Sequence, residues 1–206
     1  MKAILFMAMS LNGMIADKDG NEDFLSNINW ESFCDLAKEH GCFAIGRKTY
    51  EIVQKWEEYN FNNVDAKLKV VVSKENDLVL EKPFLLVNSP KEAIARAASM
   101  NFGSMILTGG STINSAFVKE NLIDEIILNI EPAIIGRGIS LFAECDFEKR
   151  LSFLEAKKID DDILQVRYKV KIKTVSFLSS RAATRDPGLE DADSKCVFMV
   201  IDERAV

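Results

Sequence analysis

The chain has 206 residues, 48% hydrophobic and 28% charged, the balance of one ordinary globular domain rather than two. Its net charge of −6 argues against a surface built for nucleic acid or anionic membrane. One histidine, His40, and four cysteines without a C-x-x-C pair give no support to a metal site, and Cys34, Cys42, Cys145 and Cys196 read as reduced thiols of a cytoplasmic protein.

Lys2 to Met9 is an apolar run too short to span a bilayer and broken by Asn12 and Gly13, so it reads as a first core strand. Ser10 to Asn27, with its Asn, Gly and Asp residues, reads as a long loop. Trp30, Phe33, Cys34 and Ala37 recur at spacings of three and four, which predicts an amphipathic helix over Trp30 to Lys38. Cys42 to Ile45 is a short buried strand, Lys48 to Lys55 a short helix, and Lys69 to Val72 and Phe84 to Val87 are two further strands. Ser89 is placed to cap a helix that has Pro90 at its first position and runs to about Met100. Met105 to Leu107 is a strand, turned by Gly109 and Gly110 into a helix that ends near Lys119. Glu125 to Ile130 is a strand, and a loop closes near Gly138. Leu151 to Ile159 and Ile163 to Ile172 form a hairpin turned at Asp160, Asp161 and Asp162.

This alternation predicts an α/β fold with a mostly parallel central sheet, helices on both faces and a C-terminal antiparallel hairpin. The domain covers residues 1–173. Residues 174–206, rich in small, polar and charged residues, read as a linker-like or disordered extension that includes the apolar run Cys196 to Ile201.

Four segments could carry chemistry. Gly46-Arg47-Lys48-Thr49-Tyr50 joins a buried strand to a helix, so its free N–H groups and two basic residues suit a phosphate, or form only a capped helix start with solvated charges. Leu107-Thr108-Gly109-Gly110-Ser111-Thr112 is a second strand-to-helix turn, open to a pyrophosphate or simply tight, and it is not G-x-G-x-x-G. Ser73-Lys74 leaves a strand's carboxyl end, where a hydroxyl and an ammonium suit a 2′-phosphate or a polar turn. Ser10 to Ala16 is an apolar, glycine-containing loop that would cover a flat ring or cap the core. Among nearby acids, Asp17, Asp19, Glu22, Asp23, Glu31 and Asp35, a proton donor would be buried with a raised pKa, whereas Glu31 at a helix start also serves the helix dipole. His40 reads as a helix-end residue.

Taken in order, SLNGMIA, GRKTY, VVVSK and LTGGSTINSAFVKENLIDEIILNIEPAIIGRGISLF resemble the dihydrofolate-reductase-like superfamily, over about Met1 to Ile172. The branch is that of the reductase domain of the riboflavin-biosynthesis deaminase/reductase. The resemblance implies a cytoplasmic NADPH-dependent oxidoreductase that passes a hydride to a small heterocyclic or carbonyl substrate, of the 5-amino-6-ribosylaminouracil (phosphate) reductase type. It implies NADPH contacts at Ala8, Ile15, Gly46, Arg47, Lys48, Thr49, Ser73, Lys74, Thr108, Gly109, Gly110, Ser111 and Thr112. Substrate contacts fall on Ser10, Asn12, Gly13, Lys67 and Lys69, with Glu31 and Asn12 as the catalytic candidates and Asp35 or water as other proton sources. Thr108 and Asn12 stand where the riboflavin reductase typically has an acid and an aspartate. The alternatives are a dihydrofolate or pterin reductase, which requires Glu31 buried in the pocket, and a non-catalytic NADPH-binding dimer, which requires no space beside the ring. The expected partners are a small-molecule substrate and a second copy in a homodimer, with no nucleic acid and no membrane. Ile126, Leu128 and Ile130 are the candidate apolar face for the dimer.

Overall fold

The computed structural model describes residues 1–56, 59–75 and 78–171. The extension expected at 174–206, with Ile172, lies outside the described residues. The chain runs β1 (Lys2–Ser10), β2 (Met14–Asp17), α1 (Ile28–His40), β3 (Cys42–Gly46), α2 (Arg47–Val53), a 3-10 turn at Phe61–Asn63, β4 (Leu68–Val72) and β5 (Phe84–Val87). It continues through α3 (Pro90–Ser99), β6 (Ser104–Leu107), α4 (Ser111–Lys119), β7 (Glu125–Glu131), β8 (Gly138–Ser140), β9 (Arg150–Lys158) and β10 (Leu164–Lys171).

Eight strands form one sheet in the order β5-β4-β3-β6-β1-β7-β10-β9. The pairs from β5 to β7 are parallel, and β10 and β9 close one edge as an antiparallel hairpin. Strand periodicity divides the core in two. Leu5, Ala44, Val70 and Leu107 face a cluster that takes Ala93 and Ala97 from α3 and Ile113 and Phe117 from α4. Ile4, Phe6, Phe43, Ile45 and Ile106 face the other cluster, with Phe33 from α1, Tyr50 and Val53 from α2, and Phe61. Burying a phenylalanine as fully as Phe43 or Phe117 contributes about 1.5–3 kcal/mol. The chain steps from β1 to β3 to β4 with α1 and α2 on one face. It returns through β6 to β7 with α3 and α4 on the other, as right-handed crossovers require.

Ser89 caps α3 as expected: its Oγ accepts the Glu92 N–H at 3.2 Å, and Pro90 opens the helix. The segment from Ser10 to Asn27 is not all loop, because Met14–Asp17 forms β2 and pairs antiparallel with β8, inside the loop expected near Gly138. Glycine allows this pairing. A Cβ on Gly138 would lie 2.3 Å from the Ala16 carbonyl oxygen. Neither strand shows in the sequence, since three and four residues are too few for a period-2 signal.

Candidate active site

The carboxyl ends of β1, β3 and β6 open into a cavity of about 710 Å³, its mouth included. Phe6, Met7 and Ala8 come from β1, Ile15 from β2, and Thr108, Gly109 and Gly110 from the turn after β6. Trp30 and Phe33 on α1 and Phe61 on the 3-10 turn form an aromatic wall, with ring centroids 5.5 to 5.6 Å apart. The crevice beyond the carboxyl ends of parallel strands is where open α/β sheets bind ligands. A second cavity of about 490 Å³ lies beside the hairpin, lined by apolar residues such as Phe142, Phe147 and Leu151, with Lys149 its sole charged lining residue among the described ones.

The two glycine turns are one structure. The Gly46 N–H donates to the Gly109 carbonyl at 2.8 Å, and the Thr108 N–H to that of Ala44 at 3.1 Å. Gly109 has φ +84, and a Cβ there would lie 2.9 Å from the Met7 sulfur. A Cβ on Gly110 would meet Thr49 Oγ1 at 3.1 Å. No side chain caps α4, whose N-cap is Gly110, or α2, whose N-cap is Gly46. The first N–H groups of α4, on Ser111 and Thr112, are thus left free beside the cavity.

Beside this cradle, Arg47 is held by two carboxylates. Its guanidinium donates to both oxygens of Glu51, at 2.8 and 3.0 Å, and meets Glu75 at 3.1 Å. The Glu51 hydrogen bond is the main reason its pKa lies above the ordinary arginine value. Ser73 is buried, and its Oγ accepts the Glu75 N–H at 3.0 Å, shaping the turn that carries exposed Lys74. Lys48 and Thr112 are exposed.

The structure removes several expected site residues from the cavity. Glu31 and Asp35 lie exposed on α1 and are not among the lining residues, because their helix turns Trp30 and Phe33 inward instead. A folate or pterin reading needed Glu31 in the pocket. Ser10 is fully buried, and its hydroxyl donates to Asn12 Oδ1 at 2.8 Å while accepting the Met14 N–H at 3.0 Å. Asn12 closes both bonds to Ile135, donating to its carbonyl at 2.8 Å and accepting its N–H at 3.1 Å. Both side chains, with Gly13 at φ +84, clamp the β1–β2 turn to the loop after β7.

Lys67 is exposed and precedes β4, so it sits at the amino edge of the sheet, roughly 15 Å of strand from the cavity. Lys69 is buried, and its ammonium donates to the carbonyls of Phe61 and Asn62, both at 2.8 Å. Burial holds its pKa below the usual lysine value. It stabilises the turn that positions Phe61, with two of its three N–H donors spent on those carbonyls. His40 ends α1 and meets Ser104 Oγ at 2.6 Å, as a helix-end residue does. β7 is an interior strand between β1 and β10, with Ile126 buried and Leu128 and Ile130 half-buried.

One feature was named in the sequence only as one of six nearby acids, and a second had no sequence signal. Glu22 lines the cavity, half-buried, and burial pushes its carboxyl up to about 7. Its loop of Asp, Gly and Asn residues resembles any surface turn. Behind it lies a buried polar chain. Gln165 donates to Asn129 at 2.8 Å, Asn129 to Asn29 at 3.0 Å, and Asn29 to Glu131 at 2.5 Å. Glu131 also accepts the Ser26 N–H at 3.0 Å and its hydroxyl at 3.1 Å.

The sheet order, the terminal hairpin and the glycine-edged crevice define an α/β protein of the dihydrofolate-reductase-like class. Residues 1–165 match the RibD C-terminal domain, and the chain belongs to that reductase-type family. It is 30% identical over 171 residues to the uncharacterized protein YwjB of Bacillus subtilis (strain 168), covering 81% of this chain and 97% of that one. A solved structure from Shewanella sp. PV-4, provisionally assigned to riboflavin biosynthesis, superposes with a TM-score of 0.67 at 26% identity, over 84% of this chain and all (100%) of that one. The deaminase/5-amino-6-(5-phosphoribosylamino)uracil reductase of Thermotoga maritima superposes with a TM-score of 0.64 at 13% identity, over 82% of this chain and 56% of that one. Among the described residues no helix is long and apolar enough to cross a membrane, and no group of three His, Cys, Asp or Glu side chains forms a metal cluster.

Proposed function

We propose that the chain is an NADPH-dependent reductase acting on a ribosylaminopyrimidine of the 5-amino-6-(5-phosphoribosylamino)uracil type. The joined turns carry this reading. Gly109 and Gly110 line the crevice without side chains, Gly46 bonds the Gly109 carbonyl behind them, and the uncapped start of α4 offers N–H groups to a pyrophosphate. When bound, a reduced nicotinamide supplies the hydride. Ala8, Ile15, Thr49 and Thr108, which line the cavity, would hold its ring, and the start of α4 at Ser111 and Thr112 would hold the phosphates. Arg47, Lys48, Ser73 and Lys74 lie on the two turns that would flank a 2′-phosphate. The aromatic wall of Trp30, Phe33 and Phe61 leaves an apolar slot suited to a flat heterocycle, and this space favours an enzyme over a non-catalytic binder.

Fluorescence titration tests the cofactor. NADPH is expected to saturate the protein at micromolar concentration, and NADH to bind much more weakly. Arg47→Ala is expected to weaken NADPH about tenfold, the low end for a charged hydrogen bond because Glu51 and Glu75 already share the guanidinium. Failure of both nucleotides to saturate would remove the reductase reading. Turnover of the pyrimidine, followed at the NADPH absorbance, tests the substrate.

The reading includes a cytoplasmic homodimer, with its contact placed on the hairpin. Phe153, Leu154 and Leu164 are exposed there, and β9 is the edge strand among the described residues. Phe153→Glu is expected to shift the mass measured by light scattering from dimer to monomer, and an unchanged mass would place the contact elsewhere.

A further inference from the structure

Glu22 belongs to the segment between β2 and α1 and lines the cavity beside Ala8, Ile15, Trp30 and Gly109. Among the described residues it is the sole ionisable one of that lining. Its backbone carbonyl accepts the Leu25 N–H at 2.9 Å and fixes the turn, while no hydrogen bond or ion pair among the described residues holds its carboxyl. The neighbouring acids are committed or turned away. Asp17 accepts the N–H groups of Asp19 and Asn21 and the Asn21 amide. Glu131 is saturated by Ser26 and Asn29. Glu31 and Asp35 face solvent from α1.

We propose that Glu22 is the proton donor of this site, delivering its carboxyl proton to the heteroatom of a substrate C=N or C=O group whose carbon receives the hydride. The proposal rests on the reductase reading. Hydride brings two electrons to the substrate carbon, and the electron pair of the double bond moves to the nitrogen or oxygen. That atom bonds the proton released by Glu22, and the reduced dinucleotide leaves oxidised. The Glu22 carboxylate takes a proton back from water. A donor must hold its proton near neutral pH, and desolvation alone, with no charged group contributing, keeps this carboxyl up to about 7.

The test is carboxyl ¹³C NMR on glutamate-labelled full-length protein. One resonance, absent from Glu22→Gln, is expected to titrate near pH 7 and to move further upward with saturating NADPH, whose neutral ring would close the mouth and desolvate the acid. With 5-amino-6-(5-phosphoribosylamino)uracil as substrate, Glu22→Gln is expected to lower kcat about 10²-fold, with KM for NADPH changed by less than about twofold. The variant should also lose the fall in kcat above pH 7, and Glu22→Asp should recover part of the rate. A titration in the ordinary carboxylate range, a resonance unmoved by saturating NADPH, or a glutamine variant as fast as wild type would overturn the proposal. If NADPH does not saturate the wild type, the reductase reading itself fails. If NADPH saturates and Glu22 does not respond, the proton-donor assignment alone fails.

Discussion

Gly109→Val is expected to weaken NADPH binding by at least about 10²-fold and to lower stability by about 1–3 kcal/mol. Gly109 sits at φ +84, where a β-branched residue is a steric outlier. Its Cβ would lie 2.9 Å from the Met7 sulfur. The thioether end can yield, but the backbone cannot keep its angle. Relaxation toward negative φ swings the Gly109 carbonyl away from the Gly46 N–H it accepts at 2.8 Å, and that bond joins the two turns of the cradle. Both proposed phosphate-binding segments then lose their register, which explains why the loss in affinity exceeds that of removing one side chain. NADPH titration and thermal unfolding on the same sample check both effects. Gly136→Ala is the control, since a Cβ there meets nothing within 4 Å, and it should change stability by less than about 0.5 kcal/mol. Affinity within about threefold of wild type for Gly109→Val would show that the joined turns do not hold the cofactor.

The main sheet was legible because its strands are long or wholly apolar. CFAIG and LKVVV read as central strands of a sheet covered on both faces, and β3 and β4 are buried nearly throughout. The glycine turns were legible because small residues between a strand and a helix have few other uses. Side-chain direction was not legible. Glu31 and Trp30 are adjacent, and one step of about 100° along the helix decides which of them meets the cavity. Burial of the aromatic ring decides it, because the apolar stripe of α1 must face Phe43 and Phe61. The surroundings of Lys69 were hidden for a related reason. A lysine in an apolar strand invites a ligand, yet its stem packs in the sheet and its ammonium satisfies two carbonyls of a tight turn. Ser10 and Asn12 carry the right groups at the right edge, but those groups bond each other and the loop after β7. Glu22 has no neighbour in sequence that marks it. Its environment comes from β1, α1 and the β6–α4 turn, which are brought together only by the fold.

Glu131→Ala is expected to cost about 3 kcal/mol of stability and to loosen the loop that carries Glu22. Glu131 is 2% exposed, and its two oxygens accept three bonds, from the Ser26 N–H, the Ser26 hydroxyl and the Asn29 amide. Alanine removes every acceptor and leaves those donors facing a space the size of the lost side chain. Ser26 is exposed and can turn to water, which moderates the loss, whereas buried Asn29 keeps only its bond to the Ser26 carbonyl at 2.9 Å. Asn29 also accepts from Asn129 on β7, so the whole polar chain from Gln165 to Ser26 loses its terminus. That chain ties the start of α1 and the segment before it to the carboxyl end of β7. Denaturant unfolding checks the energy, with an unchanged slope and a lower midpoint expected. Hydrogen exchange checks the place: protection should fall at residues 22–30 and hold in β3 and β4. Protection lost evenly across the sheet would mean that Glu131 supports the fold as a whole rather than the loop at the mouth of the cavity. Glu131→Gln keeps one acceptor oxygen and the side chain's volume, so it should fall between alanine and wild type in both measurements.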